Sequence, residues 1–454
     1  LPCKQPQTSH SFIPGSSGFM CNCLCRIYNS FYKDGTTAFE RIFLAQQPFS
    51  PEESIRAVAE LHSGEPDFRL EEVRPNVELA LREHPRLSHV ISDRGLWTTV
   101  EVDLSYHLTY LSESQLQGIG DSGCQSAFSE PPGLLAAMSE MPAFKEVGRP
   151  LWQIIVTPRK LVIDIHHSLV DGLGLAVIAA TVFEGKTMTE ANASLCKLAA
   201  SVKSKRHSAA SSCTGCCFVG LKCLAHLPRY LFTPFSGAIW PEPKSAVFAT
   251  ETNKMKAQRL MHLGPYDMAS LKRAAKSQQA TLNGVLVNTV NSGIQVYCRA
   301  KAGDSAAVPS QIAMPVNFKQ PDSANPDKMH ASNSFCTLLT PLPEKGTISV
   351  DLGEALSAKA AQDALSLLPP FIVRWMWVSS SKLASYAFSN VDGNWASGYF
   401  ASSATAPRCI SVYAYGAPPA HVSLFLLMNS HGPDMHLGVA ACQHIEDAAG
   451  LAGA

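Results

Sequence analysis

Charge is what this sequence has least of. Asp, Glu, Lys and Arg make up only 16% of its 454 residues, and 37 basic side chains are matched by 37 acidic ones. With zero formal net charge there is no basic field to attract a phosphate backbone, so no nucleic-acid partner is expected. Hydrophobic residues reach 46%, a balance that suits apolar or amphipathic substrates without demanding them. Also missing is a stretch of about 20 residues free of charges and helix breakers, the length that a spanning helix needs. The nearest run, Cys213 to Phe232, is interrupted by Lys222, His226, Pro228 and Arg229. The next, Leu365 to Val378, carries Trp375, Trp377 and Arg374 among aliphatics. That pattern fits a helix lying in a membrane interface and, equally, an amphipathic helix packed on the protein.

Cysteine is plentiful, with 14 in the chain, but a metal-binding pattern is absent. Clusters occur at Cys21, Cys23 and Cys25 and at Cys213, Cys216, Cys217 and Cys223. The Cys213–Cys216 spacing would need two further ligands at matched distance to hold zinc, and none is evident, so no metal site is expected. Reduced thiols near a membrane surface, open to acylation, are the expectation. Asn192-Ala193-Ser194 matches a glycosylation acceptor, with no signal peptide to support a luminal location. The chain starts at Leu1, not Met, and an upstream segment is expected. No short repeat is visible.

The remaining pattern divides the chain. Residues 1–30 are low in charge and rich in Ser and Cys, and read as disordered or as a tail. A first αβ region covers 31–184, a linker 185–245, and a second, sheet-rich αβ region 246–454. A helix is predicted over Glu71 to Glu83, stopped at His84-Pro85, and a strand from Trp97 to Val102. In the second region, helices are predicted over Tyr266 to Lys276 and Thr281 to Tyr297. Strands are expected at 311–316, 335–342, 409–415, 422–428 and 435–441. The glycines of Gly118-Ile119-Gly120-Asp121-Ser122-Gly123 spell a dinucleotide fingerprint, but no apolar strand precedes it and no apolar helix follows. It reads as a loop.

The chemistry concentrates in His166-His167-Ser168-Leu169-Val170-Asp171-Gly172. The apolar run Leu161 to Ile165 before it reads as a strand, and Leu173 to Phe183 after it as a buried helix. A histidine at such a turn can be held rigidly while its ring faces a cavity. It is also the side chain best suited to take a proton from a hydroxyl near neutral pH. Asp171 is placed to anchor the turn, and Gly172 lets backbone or ligand approach closely. The bland reading is a pair of satisfied structural histidines.

At this turn the chain resembles the acyltransferases that carry a His-His-x-x-x-Asp-Gly motif. Arg149-Pro150-Leu151-Trp152 is similar to the Pro-Leu-Trp element of the wax ester synthase/diacylglycerol acyltransferase family. Asn283-Gly284 resembles that family's Asn-Asp helix start, with Gly284 where the family has Asp. Ala313-Met314-Pro315-Val316-Asn317, Asn333 before Pro341-Leu342-Pro343, Ser389-Asn390-Val391 and Leu437 to Ala440 follow in the family's order. Asp392-Gly393 stands where the family has Pro-Gly-Pro.

The resemblance implies an α/β (α+β) fold of two chloramphenicol-acetyltransferase-like subdomains, each a mixed sheet with helices, joined by a crossover segment with a central tunnel. It implies transfer of a long-chain acyl group from acyl-CoA to a fatty alcohol or diacylglycerol, with no cofactor beyond that co-substrate. His167 would be the general base and His166 an orienting residue. Asp171 would pair with a basic residue and fix the loop, beside Gly172. Asn283 would hold the motif from the second half or cap its own helix, and Trp152 would be a substrate contact or a core aromatic. A peripheral position on the endoplasmic reticulum or lipid droplets, facing the cytosol, goes with such substrates. An alcohol acetyltransferase or condensation-like enzyme, or a non-catalytic relative that binds acyl-CoA or membranes, are the alternatives.

Overall fold

The apolar runs become two six-stranded sheets. A computed structural model describes residues 40, 53–91, 97–118, 134, 148–196, 213–241, 248, 258–303, 308–317, 335–342, 352–392, 396–402, 405–416, 418, 421–442 and 445. All of these lie in the compact unit Thr37–Ala454. Residues 1–30, Gly120 to Gly123 and Asn333 fall outside them, as do the side chains of Cys213, Cys216 and Cys217.

The first sheet has the order β11-β12-β1-β6-β5-β4. Its strands are β1 (Ser54–Leu61), β4 (Leu108–Tyr110), β5 (Trp152–Val156), β6 (Lys160–His166), β11 (Tyr399–Ser402) and β12 (Thr405–Tyr415). The second has the order β7-β14-β13-β10-β8-β9. It is built from β7 (Gln258–Asp267), β8 (Gln311–Asn317), β9 (Phe335–Pro341), β10 (Tyr386–Asp392), β13 (Leu424–His431) and β14 (Asp434–Cys442). The remaining strands, β2 (His89–Ile91) and β3 (Trp97–Thr99), pair with each other.

Side-chain alternation assigns the faces of the first sheet. Ile55 and Ala57 of β1 and Leu161, Ile163 and Ile165 of β6 pack beneath α1 (Leu70–Glu83) and α2 (Gly172–Glu184). Val58, Val162 and Ile155 face the other way, onto Tyr413, Tyr415, Leu260 and Ala440. Helix α1 buries Val73, Asn76, Val77 and Ala80, the spacing of one helical face. Asn76 then clamps it, donating to the Val182 carbonyl (3.0 Å) and the Ala401 carbonyl (2.7 Å).

The strand before the motif, the helix after it and the five later strands form as read. The predicted start of a helix at Tyr266 is wrong, because β7 runs through Asp267. The Asp267 carboxylate accepts from the N–H groups of Ala269 and Ser270, which makes it the cap of α4 (Met268–Ser277) and not a helical residue. The supposed linker contains α3 (Cys213–Ile239), a 27-residue helix that continues through Pro228 and Pro234. Prolines remove backbone donors, so packing must hold it. Tyr230 is buried among Ala355, Ala358 and Ala361 of α6 (Leu352–Leu365). Gly237 meets the Ser379 main chain of α7 (Pro370–Ser381) so closely that a Cβ would overlap it. The apolar run Leu365 to Val378 is likewise not one helix, since α6 ends at Leu365 and α7 starts at Pro370. None of the described helices is long and apolar enough to cross a membrane.

The division at residue 246 does not follow the sheets. β11 and β12, from the C-terminal half, complete the first sheet, with Arg56 of β1 opposite Tyr415 of β12. Strand β12 then becomes the seam between sheets. Asn429 donates to the Val412 carbonyl (2.8 Å), and Gly438 of β14 lies against the Ala414 carbonyl with no room for a side chain. His262 stacks on Tyr413 at 3.8 Å and bonds His436 at 2.9 Å. Burial, and then His262, hold the His436 imidazole down at about 4 against its ordinary 6.5. The folded chain therefore keeps His436 neutral while the unfolded chain takes up a proton below 6.5. This contribution to stability is whole above that pH and is lost as pH falls toward about 4. Thermal melts should show a lower Tm at mildly acidic than at neutral pH, and His436→Asn should shrink the difference. An equal pH dependence in the variant would contradict this.

Candidate active site

Strand β6 ends on His166, residues 167 to 170 turn, and Asp171 opens α2. The Asp171 carboxylate accepts from the Gly174 N–H at 2.8 Å, and its carbonyl accepts from Leu175 at 2.8 Å. The loop is thus fixed by a helix cap, which favours a structural role for Asp171. A buried ion pair beside the motif involves a second carboxylate, Asp164. Arg56 Nε lies 3.2 Å from Asp164 Oδ2, directly across β1 and β6, with both side chains buried. Burial pushes the Asp164 carboxyl up, and Arg56 opposes it.

The two histidines differ sharply in surroundings. His166 is fully buried. Its Nδ1 accepts from the Ser168 main-chain N–H (3.1 Å), with the Ser168 hydroxyl 2.8 Å away, so Nε2 carries the proton and donates to Glu53 Oε2 (3.0 Å). Both nitrogens are engaged by protein, which suits an orienting residue. The main-chain N–H of His167 donates to the Glu53 carbonyl at 3.1 Å, so one residue holds both histidines. The ring of His167 is only half-buried, with Nδ1 inside. It faces Phe335 of β9 with ring centroids 5.1 Å apart.

The second sheet supplies the opposite wall. A Cβ on Gly172 would lie 3.8 Å from the Val391 side chain of β10. The neighbouring Asn390 donates to Asn283 Oδ1 at 2.5 Å. Asn283 sits in the first turn of α5 (Leu282–Ala302), whose cap is Thr281, its hydroxyl oxygen accepting from the Gly284 N–H at 3.0 Å. Asn283 is therefore free of the capping role and braces the strand that meets Gly172.

Trp152 goes elsewhere. It is 1% exposed, its indole N–H donates to the Leu87 carbonyl (2.7 Å), and its ring stacks on His107 at 4.4 Å. This is a core position, the second of its two sequence readings. Trp152→Phe should cost about 1–3 kcal/mol, the loss of a buried hydrogen bond and some volume. Denaturant melts should register that cost, and activity per folded molecule should not change.

Glu53, Phe335, Arg56 and Asn390 were not singled out for these roles from sequence. Asp164, a charge inside an apolar strand, was the local signal that a buried partner was needed. Among the described residues no group of three or more His, Cys, Asp or Glu is placed to hold a metal ion. The described cysteines are thiols.

No protein-family model and no curated protein matches the sequence. Solved structures do match its shape. One is a variant of the starter condensation domain of rhizomide synthetase RzmA in complex with C8-CoA and Leu-SNAC. It has a TM-score of 0.52 at 16% identity, over 92% of this chain and 90% of that one. A second RzmA variant, in complex with C8-CoA, gives 0.52 at 14% identity, over 92% and 91%. The first condensation domain of the calcium-dependent antibiotic synthetase, with a substrate analogue, gives 0.51 at 13% identity, over 92% and 93%. The chain has the condensation-domain fold. Its two sheet-containing subdomains are those expected of the chloramphenicol-acetyltransferase-like architecture. The likeness is to condensation domains, and the narrower resemblance to wax ester synthases finds no support among them.

Proposed function

We propose that the chain is an acyltransferase in which His167 Nε2 takes the proton of an acceptor hydroxyl as its oxygen attacks an acyl thioester. The new C–O bond forms as the C–S bond breaks, and the proton on His167 passes to the departing thiolate. Both substrates would be bound together, so proximity supplies much of the acceleration and no acyl-enzyme is needed. His166 and Glu53 would hold the base, Asp171 the loop, and Asn283 the facing strand. One observation carries the reading: a half-buried His167 at the junction of the two sheets, beside a fully engaged His166.

The donor we assign is long-chain acyl-CoA, with no other cofactor. The acceptor is a fatty alcohol or diacylglycerol, giving wax ester or triacylglycerol. Work on such substrates places the protein on a lipid surface, the endoplasmic reticulum or lipid droplets, facing the cytosol. Two of the similar solved structures hold C8-CoA, which favours a CoA thioester donor. Their being condensation domains favours a second reading, in which the acceptor is an amine and the acyl group arrives on a carrier. Palmitoyl-CoA and a carrier-bound palmitoyl thioester, each offered with hexadecanol, diacylglycerol or an aminoacyl thioester, separate the two by product mass. Esters alone support the first reading, amide alone supports the second, and acyl-CoA binding with no product sinks both.

A further inference from the structure

His167 follows the last residue of β6, and its main-chain N–H is fixed by the Glu53 carbonyl at 3.1 Å. That bond sets where the residue stands and leaves its side-chain torsions to be chosen by packing. The imidazole is half-buried and meets a ring from the other sheet, Phe335, with 5.1 Å between centroids and 34° between planes. We infer that Phe335 is a positioning residue, selecting the rotamer in which the His167 imidazole faces the reacting groups. The inference rests on the reading of His167 as general base.

The sequence commits Phe335 to this place. It opens β9, and alternation puts its side chain on the face opposite Cys336 and Leu338. Those two are buried against Tyr230 of α3 and Ala355, Ala358 and Ala361 of α6. A one-residue slip of register would turn Phe335 to that face and take it from His167. Strand β9 is the last of its sheet, and side chains from the covering helices fix it. Gln362 of α6 accepts from the Thr337 N–H at 3.2 Å and donates to the Thr337 carbonyl at 3.0 Å. Arg229 of α3 donates to the Leu339 carbonyl at 2.9 Å while pairing with Glu354 of α6. A ring mounted on such a strand, and itself 8% exposed, makes a rigid wall.

An ordinary core phenylalanine would contribute to stability alone. Two features give Phe335 more to do. Its neighbour is the ring of a titratable side chain in the motif, and the contact crosses from one sheet to the other. The second sheet also reaches the motif at Gly172, where a Cβ would lie 3.8 Å from Val391. A misplacement of about 1 Å at a reacting centre can cost roughly 100-fold in rate. A contact that fixes one rotamer therefore affects kcat out of proportion to its area, and substrate affinity does not depend on it.

A double-mutant cycle on the full chain tests the inference. Phe335→Ala should lower kcat per folded molecule by about 10–100-fold and leave KM for palmitoyl-CoA and for the acceptor unchanged. Phe335→Tyr, which keeps the ring, should retain most of the activity. In the His167→Ala background, Phe335→Ala should cost nothing further, because a residue that acts through the base has no effect without it. A second readout needs no turnover. In protein carrying isotope-labelled histidine, the His167 ring resonance, identified by its loss in His167→Ala, should shift in Phe335→Leu as the aromatic ring current is removed. Should Phe335→Ala fail to fold, Phe335→Val removes the ring as well and carries the same cycle. Unchanged kcat in the folded variant overturns the inference, as does a loss that lies wholly in KM. So do two losses that multiply in the double variant, or an unmoved His167 resonance. If wild type makes no product, or His167→Ala makes it undiminished, the acyl-transfer reading fails, and the resonance alone then decides whether Phe335 places the ring.

Discussion

Replacing His167 with Ala should lower kcat for acyl transfer by about 10²–10⁴-fold, the usual worth of a positioned general base. The fold should survive. The ring is half-buried at the sheet junction, and its main-chain bond to Glu53 does not need the side chain. Binding of acyl-CoA should be retained, so the loss falls on kcat and not on KM. His166→Ala would also lower activity, but by another route. It would leave the Glu53 carboxylate without its buried donor and loosen the residue whose carbonyl holds His167. That variant should lose thermal stability along with activity. A His167→Ala protein that melts early, or a His166→Ala protein that melts like wild type, would reverse the assignment of base and positioning residue.

The largest effect on stability is expected at Arg56. Its guanidinium and the Asp164 carboxylate are both buried. Removing one partner of a buried pair strands the other charge, at a cost of about 3–5 kcal/mol. Arg56→Ala should therefore unfold at much lower denaturant than wild type. The loss should depend on pH with a definite sign. Burial already raises the Asp164 carboxyl, and Arg56 is the first group opposing that rise. Without Arg56 the folded state takes up this proton at higher pH than the unfolded chain does, so the deficit shrinks as pH falls. Arg56→Met with Asp164→Leu should recover most of the stability, because apolar replacement removes both charges together. Equal stability of wild type and Arg56→Ala would show that the pair is dispensable.

The half of the site that is local in sequence was readable from it. Leu161 to Ile165 alternates and Leu173 to Phe183 is continuously apolar, so strand, turn and helix around His166 to Gly172 followed from period alone. The other half was not. Phe335 and Val391 meet the motif only because β9 and β10 are brought to it by packing, and nothing beside them in the chain announces that contact. The family resemblance did point to Asn283 and to Ser389-Asn390-Val391, but not to the bond between them. Competing forces explain the other misses. Tertiary packing against α6 and α7 carries α3 through two prolines that local propensity would count as breaks. The passage of β11 and β12 into the first sheet answers an unpaired β1 edge, a long-range pairing with no short-range signal. A cap hidden at the end of a strand, Asp267, moved one helix start.

Single-turnover acyl transfer in wild type and His167→Ala, at saturating palmitoyl-CoA and acceptor, separates a general base from a structural histidine. It isolates the chemical step from binding and product release. Wild type should form ester, and the variant should hold acyl-CoA as tightly while forming it at least about 100-fold more slowly. Ester formed by the variant at the wild-type rate would contradict it.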